Sequence, residues 1–249
     1  MAGTATGGGA SGAAAGAGAG TASGCLRRKK LTIVGTIAQN GAHGSTGSRH
    51  EPMKRQRPST APVRGPGSIR IIGGLWRGTR LPVADVPGLR PTPDRVRETL
   101  FNWLQPVLPG MRVLDLFAGS GALGLETVSR GAREALLVER DPALVETLLA
   151  ATQRLHAGDR VSVLRADALE LLRSPLHGRF DLVLLDPPFA AGLWPQVLAS
   201  LPPWLADDAW LYLEAPPGAF APDPAEWLPH REAGTREVHY ALYRRASRP

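Results

Sequence analysis

Four acids lie along the chain so that each follows a short apolar run: Asp115, Glu139, Asp167 and Asp186. Ligands of open α/β sheets bind beyond the carboxyl ends of the strands. Acids ending or following four successive strands would therefore face one ligand together. Behind Asp115 come Phe117-Ala118-Gly119-Ser120-Gly121 and then a helical pattern containing Gly124. Gly119, Gly121 and Gly124 spell G-x-G-x-x-G, a strand, tight turn and helix N-terminus that suit a nucleotide-like ligand. Asp115 narrows the ligand. A carboxylate beside a pyrophosphate is repelled, whereas beside a cation it is attracted. S-adenosylmethionine carries a sulfonium and an ammonium and no phosphate, so it fits better than a nicotinamide dinucleotide. Glu139, twenty residues past Gly119 and followed by Arg140, can accept both ribose hydroxyls. Asp167-Ala168 is placed for the adenine edge. Taken singly, Asp141 or Asp167 would serve equally well as a helix N-cap.

The second chemical motif is Asp186-Pro187-Pro188-Phe189. Two prolines stiffen the chain and remove N–H donors, which frees the carbonyls of Asp186 and Pro187 to accept. An amine conjugated to a purine is a poor nucleophile because its lone pair is delocalised into the ring. A carboxylate and a rigid carbonyl accepting its two N–H groups would turn that lone pair toward a sulfonium methyl. Phe189 offers an apolar face for the base.

The elements that must position these residues alternate. Strands are expected at 112–116, 135–139, 161–165, 180–185 and 210–214, with helices at 122–129, 142–156, 168–173 and about 193–201. Gly131 and Gly158 fall where helix C-caps belong. Such alternation means an α/β fold with a mostly parallel sheet covered on both faces. Residues 237–244 alternate in a way that suits an antiparallel edge strand. Upstream, 69–81 reads as a hairpin about Gly73-Gly74. A helix should follow Thr92 as N-cap, with Val96, Leu100, Phe101 and Leu104 as its apolar stripe.

The bulk composition excludes several classes. Cys25 is the single cysteine, so there is no intrachain disulfide and no cysteine-based zinc site. The six histidines show no ligand spacing, and no metal is expected. No apolar run approaches the roughly 18 residues of a membrane helix, and a cytoplasmic monomer is the expectation. The net charge of +7 is unevenly spread: residues 1–67 carry +8 and residues 68–249 carry −1. Residues 1–67 are rich in Gly, Ala, Ser and Thr, and are expected to be a disordered basic extension. Met53 is a candidate start, and an organellar leader is the competing reading. Between Ser68 and Leu100, six arginines (Arg70, Arg77, Arg80, Arg90, Arg95 and Arg97) accompany three acids. That is the one basic stretch before the glycine turn, and it suits phosphate contacts.

Asp115–Gly121 together with Asp186–Phe189 resembles class I methyltransferases that use S-adenosylmethionine on an amino nitrogen. Arg70–Gly74, Trp76–Gly78, Leu89–Thr92, Asp94–Leu104 and Gly121–Glu126 are similar to the RsmD family of bacterial 16S rRNA guanine-N2-methyltransferases. The likeness runs from about Ser68 to Arg245. It implies a Rossmann-like sheet of seven strands with an antiparallel last strand. It implies an RNA-binding hairpin and helix arm over 68–109 and a methyltransferase domain over 110–249. It implies one guanine N2 of 16S rRNA in the assembled small subunit as acceptor, with Asp186 and the Pro187 carbonyl on the amine. A DNA adenine-N6 methyltransferase, a nicotinamide-dependent oxidoreductase and a non-catalytic RNA-binding assembly factor are the rival readings. The first lacks room for a separate DNA-reading domain, and the second is disfavoured by Asp115.

Overall fold

The computed structural model describes residues 67–83 and 92–246. The expectations for residues 1–66, for Met53 and for Arg90 lie outside the described residues.

The sheet is built as the alternation requires. β1 (Ser68–Arg70) and β2 (Arg80–Pro82) pair antiparallel by themselves, and α1 (Asp94–Leu104) follows. Next come β3 (Arg112–Asp115), α2 (Ala122–Ser129), β4 (Glu134–Glu139), α3 (Pro142–Arg154), β5 (Val161–Arg165), α4 (Ala168–Leu172) and β6 (Phe180–Leu185). The chain ends through α5 (Trp194–Ser200), β7 (Leu205–Ala215), β8 (Trp227–Gly234) and β9 (His239–Arg245). The seven-stranded sheet runs β5-β4-β3-β6-β7-β9-β8. β3, β4, β5, β6 and β7 are parallel, and β9 is antiparallel to both its neighbours. The order reverses between β3 and β6, the switch point where such sheets bind ligands.

Strand side chains alternate between two apolar layers. Val113, Leu137, Leu182, Leu184 and Tyr212 pack with α1, α2 and α3. Leu114, Leu136, Val183, Leu185 and Leu213 pack with α4 and α5. Burial on both faces explains the near-continuous apolar runs. The arm segment shares the first layer: Ile71, Trp76, Leu81, Leu100 and Phe101 belong to the same core as Val113.

Three expectations are corrected. The last strand, β9, is not the edge. The edge is β8, whose segment carries Pro229 and is mostly exposed, with Trp227-Leu228-Pro229 followed by His230-Arg231-Glu232, so it has no strand-like alternation. A register shift at Pro229/Arg231 marks the missing donor, and edges are where a sheet tolerates proline. Gly73-Gly74 is not a tight hairpin turn. The two strands are separated by a loop over 71–79 that docks on the C-terminus of α2, where Leu75 N–H donates to the Ser129 carbonyl at 2.7 Å. The Ser129 hydroxyl donates to the Gly73 carbonyl at 2.6 Å and accepts from Trp76 N–H at 2.9 Å. Gly74 has φ +78°, and a Cβ there would overlap the Ser129 carbonyl. Finally, α3 ends at Arg154, and His156 takes the left-handed conformation (φ 51°) expected of Gly158. Gly131, at φ 109° just past α2, does what was expected of it.

Candidate active site

The glycine turn is shaped by positive φ: Gly119 at 52° and Gly121 at 77°, conformations that β-carbons disfavour. Gly121 stands at the N-cap of α2. Gly124 serves close packing, because a Cβ there would lie 2.9 Å from Asp115 Oδ2 and 3.1 Å from Leu137. Asp115 is 3% exposed, and its Oδ2 accepts the Gly124 N–H at 3.1 Å. Burial raises its pKa from 3.8 to about 7, against the lowering effect of the Gly124 and Phe117 N–H groups, and Glu139 adds to the rise. Ala118 and Ser120 are buried beneath the turn and Phe117 is half-buried, with Ala118 N–H donating to Val138 O at 2.9 Å.

Glu139 ends β4 and ties the turn to the next helix. It accepts Gly119 N–H at 2.9 Å on Oε2 and Asp141 N–H at 2.9 Å on Oε1. Each oxygen keeps a further lone pair for a ligand hydroxyl. Arg140 is exposed. Asp167 caps α4, its Oδ1 accepting from Leu169 at 2.9 Å and Glu170 at 3.2 Å, and Ala168 is buried behind it. Oδ2 of Asp167 takes no part in that cap.

The proline tetrad follows β6. Pro187 is buried, Asp186 and Phe189 are half-buried, and Pro188 is exposed. The Pro188 and Phe189 carbonyls close a short 3-10 turn, accepting from Ala191 and Gly192. Among the described residues no hydrogen bond falls on the carbonyls of Asp186 or Pro187. Phe189 leans on Trp194 with ring centroids 6.0 Å apart, and Trp194 stacks on Phe220 at 6.2 Å. The Trp194 indole N–H donates to the Glu214 carbonyl at 2.8 Å. This aromatic file fixes the face that Phe189 presents.

Sequence reasoning missed Glu214 and misread Thr92. Thr92 does not cap α1. Pro93 occupies the N-cap position with no side-chain bond, and the Thr92 hydroxyl instead lies 3.4 Å from Asp186 Oδ2 and 3.2 Å from Glu214 Oε1. Tyr212 donates its hydroxyl to Glu214 Oε1 at 2.7 Å. Burial and the charges of Glu214 and Asp115 push the Asp186 carboxyl well above its usual range, and burial also raises Glu214. The available signal was position: Glu214 lies one residue before the end of the fifth parallel strand, as Asp115, Glu139 and Asp186 close or follow theirs.

Asp115, Glu139, Asp186 and Glu214 thus converge at the switch point. None of the ion pairs among the described residues involves any of them. Buried carboxylates without a cation are costly, so the site suits a positively charged ligand.

The arginines divide. Arg70, Arg77, Arg80 and Arg95 are exposed. Arg97 is corrected: its side chain is fully buried, paired with Glu126 at 2.9 Å and Asp94 at 2.6 Å, and it donates to the Arg70 carbonyl at 2.9 Å. It is part of a clamp and is closed to phosphate. Glu126, also fully buried, takes Arg130 at 2.8 Å and the N–H groups of Ile72 and Gly73 at 3.2 and 3.1 Å.

A family model described as conserved hypothetical protein 95 matches residues 69–244. The chain is 48% identical over 186 residues to ribosomal RNA small subunit methyltransferase D of Escherichia coli, covering 73% of this chain and 92% of that protein. The protein of the same name from Haemophilus influenzae is 41% identical over 181 residues, covering 71% and 94%. A solved Escherichia coli protein described as a candidate methyltransferase superposes with TM-score 0.66 at 46% identity, covering 73% of this chain and 100% of that one.

Proposed function

Since the chain belongs to the ribosomal RNA small subunit methyltransferase D (RsmD) family, we propose that it methylates the exocyclic N2 of one guanine in 16S rRNA. S-adenosylmethionine is the donor and the assembled small subunit the acceptor. The observation that carries the reading is the acid-lined switch point, where four carboxylates have no ion-pair partner among the described residues beside the Asp186-Pro187-Pro188-Phe189 tetrad. When bound, S-adenosylmethionine supplies a methyl group made electrophilic by the sulfonium. The residues suited to hold it are Asp115 for its positive charge, Glu139 for the ribose and Asp167-Ala168 for the adenine, around the Gly119–Gly121 turn.

The chain's own residues do the rest by placement. Asp186 Oδ and the Pro187 carbonyl accept the two N–H groups of the guanine amine and orient its lone pair. Phe189, backed by Trp194, holds the ring flat. Most of the acceleration comes from alignment in a site with preset dipoles. Arg70, Arg77, Arg80 and Arg95 supply phosphate contacts from the arm segment, which fix position rather than sequence.

The test is transfer of labelled methyl from S-adenosylmethionine to small subunits prepared from a strain lacking its own enzyme, beside naked 16S rRNA and duplex DNA. Digestion to nucleosides should yield labelled N2-methylguanosine, chiefly from the subunits. Label in DNA adenine, or in none of the three, contradicts the reading.

A further inference from the structure

Glu214 lies one residue before the end of β7 at 3% exposure, and the placement of amine and methyl described above does not use it. Its Oε1 accepts the Tyr212 hydroxyl, and the Thr92 hydroxyl lies between it and Asp186 at 3.2 and 3.4 Å. A hydroxyl carries one hydrogen. It can donate to one carboxyl and must accept from the other. Both contacts are therefore satisfied together only when one of the two acids holds a proton. Among the described residues, the charged and titratable groups facing the pair are Asp115 from β3, Tyr212 on β7 itself and Tyr240 from β9. Trp194 from α5 and Thr92 ahead of α1 are neutral. Nothing among these offsets a second negative charge, and two like charges at this range repel.

Methylation of an amine releases a proton at the moment the donor's positive charge disappears. The net charge of the closed site is kept only if that proton stays. We propose that, both acids being ionised while the donor's positive charge lies beside them, Glu214 stores it, reached from Asp186 through the Thr92 hydroxyl, an inference that rests on the functional reading above. The amine lone pair forms the new N–C bond while the C–S pair returns to sulfur. One N–H bond then breaks onto Asp186 Oδ2. Asp186 passes the proton to Thr92 Oγ1, and the hydrogen that Thr92 carried moves to Glu214 Oε1. Asp186 is left ionised, Glu214 neutral, and nothing is oxidised or reduced. The pair keeps that one proton after turnover and gives it to water through the half-buried Asp186 when the next donor brings its positive charge. Glu214 and Thr92 are thus positioning residues that act through Asp186.

Single-turnover methylation of small subunits across pH 5.5–9 tests this with Glu214→Gln, Thr92→Val and Thr92→Ser. Glu214→Gln should lower the plateau rate by about tenfold, within the range of acid–base contributions. It should also move the acid limb to lower pH, because Asp186 ionises more easily without its neighbour's charge. Thr92→Val should lower the plateau similarly, and Thr92→Ser should restore it. Should Glu214→Gln fail to fold, the valine and serine pair decides alone. An active wild type with a wild-type profile in Glu214→Gln or Thr92→Val overturns the relay while leaving the functional reading intact. A wild type that leaves the subunits unmethylated overturns both.

Discussion

Arg97 and Glu126 form an ion pair at 2.9 Å with both side chains fully buried. Through it α1, α2 and the loop after β1 are held as one piece, because Glu126 also accepts from Ile72, Gly73 and Arg130. Removing one partner strands the other without compensation, at a cost of about 3–5 kcal/mol. Arg97→Met should therefore lower the urea midpoint steeply. An unchanged midpoint would mean the clamp is not what fastens the arm segment.

The exposed arginines should behave differently. Each phosphate contact contributes a slope of about 0.7–0.9 to the dependence of log K on log salt. Arg77→Ala and Arg95→Ala should weaken rRNA binding and flatten that slope by about that amount each, with the unfolding midpoint unmoved. Salt titrations that coincide with wild type would remove these residues from the RNA interface.

Asp115 sets a pH dependence whose sign is fixed by the direction of its shift. Its folded pKa is about 7 and its ordinary value 3.8. Between these the folded state holds a proton that the unfolded state has lost. Its contribution to stability therefore falls as pH rises from about 4 to about 7, and is level above that. A cationic ligand favours the ionised form. Affinity for S-adenosylmethionine should thus rise with pH, by up to about tenfold per unit, and level off above about 7. Asp186 and Glu214 are shifted the same way, so the difference between wild type and Asp115→Asn isolates this acid. Calorimetry in buffers of different ionisation enthalpy should show proton uptake by buffer on binding below pH 7, reduced in the variant. Identical proton counts would contradict the assignment.

The parallel part of the fold was legible because its strands are buried on both faces and its turns carry glycine or proline. Asp115, Glu139 and Asp186 were legible because strand ends in this topology converge by construction. What escaped shares one cause: it depends on contacts far apart in the chain. Thr92 has the type and place of an N-cap, yet its hydroxyl goes to residues 94 and 122 positions away. Arg97 has the type of a phosphate contact, yet Glu126 closes over it. The edge strand β8 offers no alternation, since its apolar residues Trp227, Leu228 and Pro229 are consecutive and most of its side chains face water.

The central claim is that Asp186 prepares an amine for a methyl group held on a cation, and Asp186→Ala addresses it most directly. Calorimetry and labelled transfer to small subunits should be measured on the same preparation. The variant should still bind S-adenosylmethionine, while methyl transfer falls by about 10²–10³-fold, the loss expected when one preset polar group is removed from a reacting centre. Transfer at the wild-type rate would contradict the account.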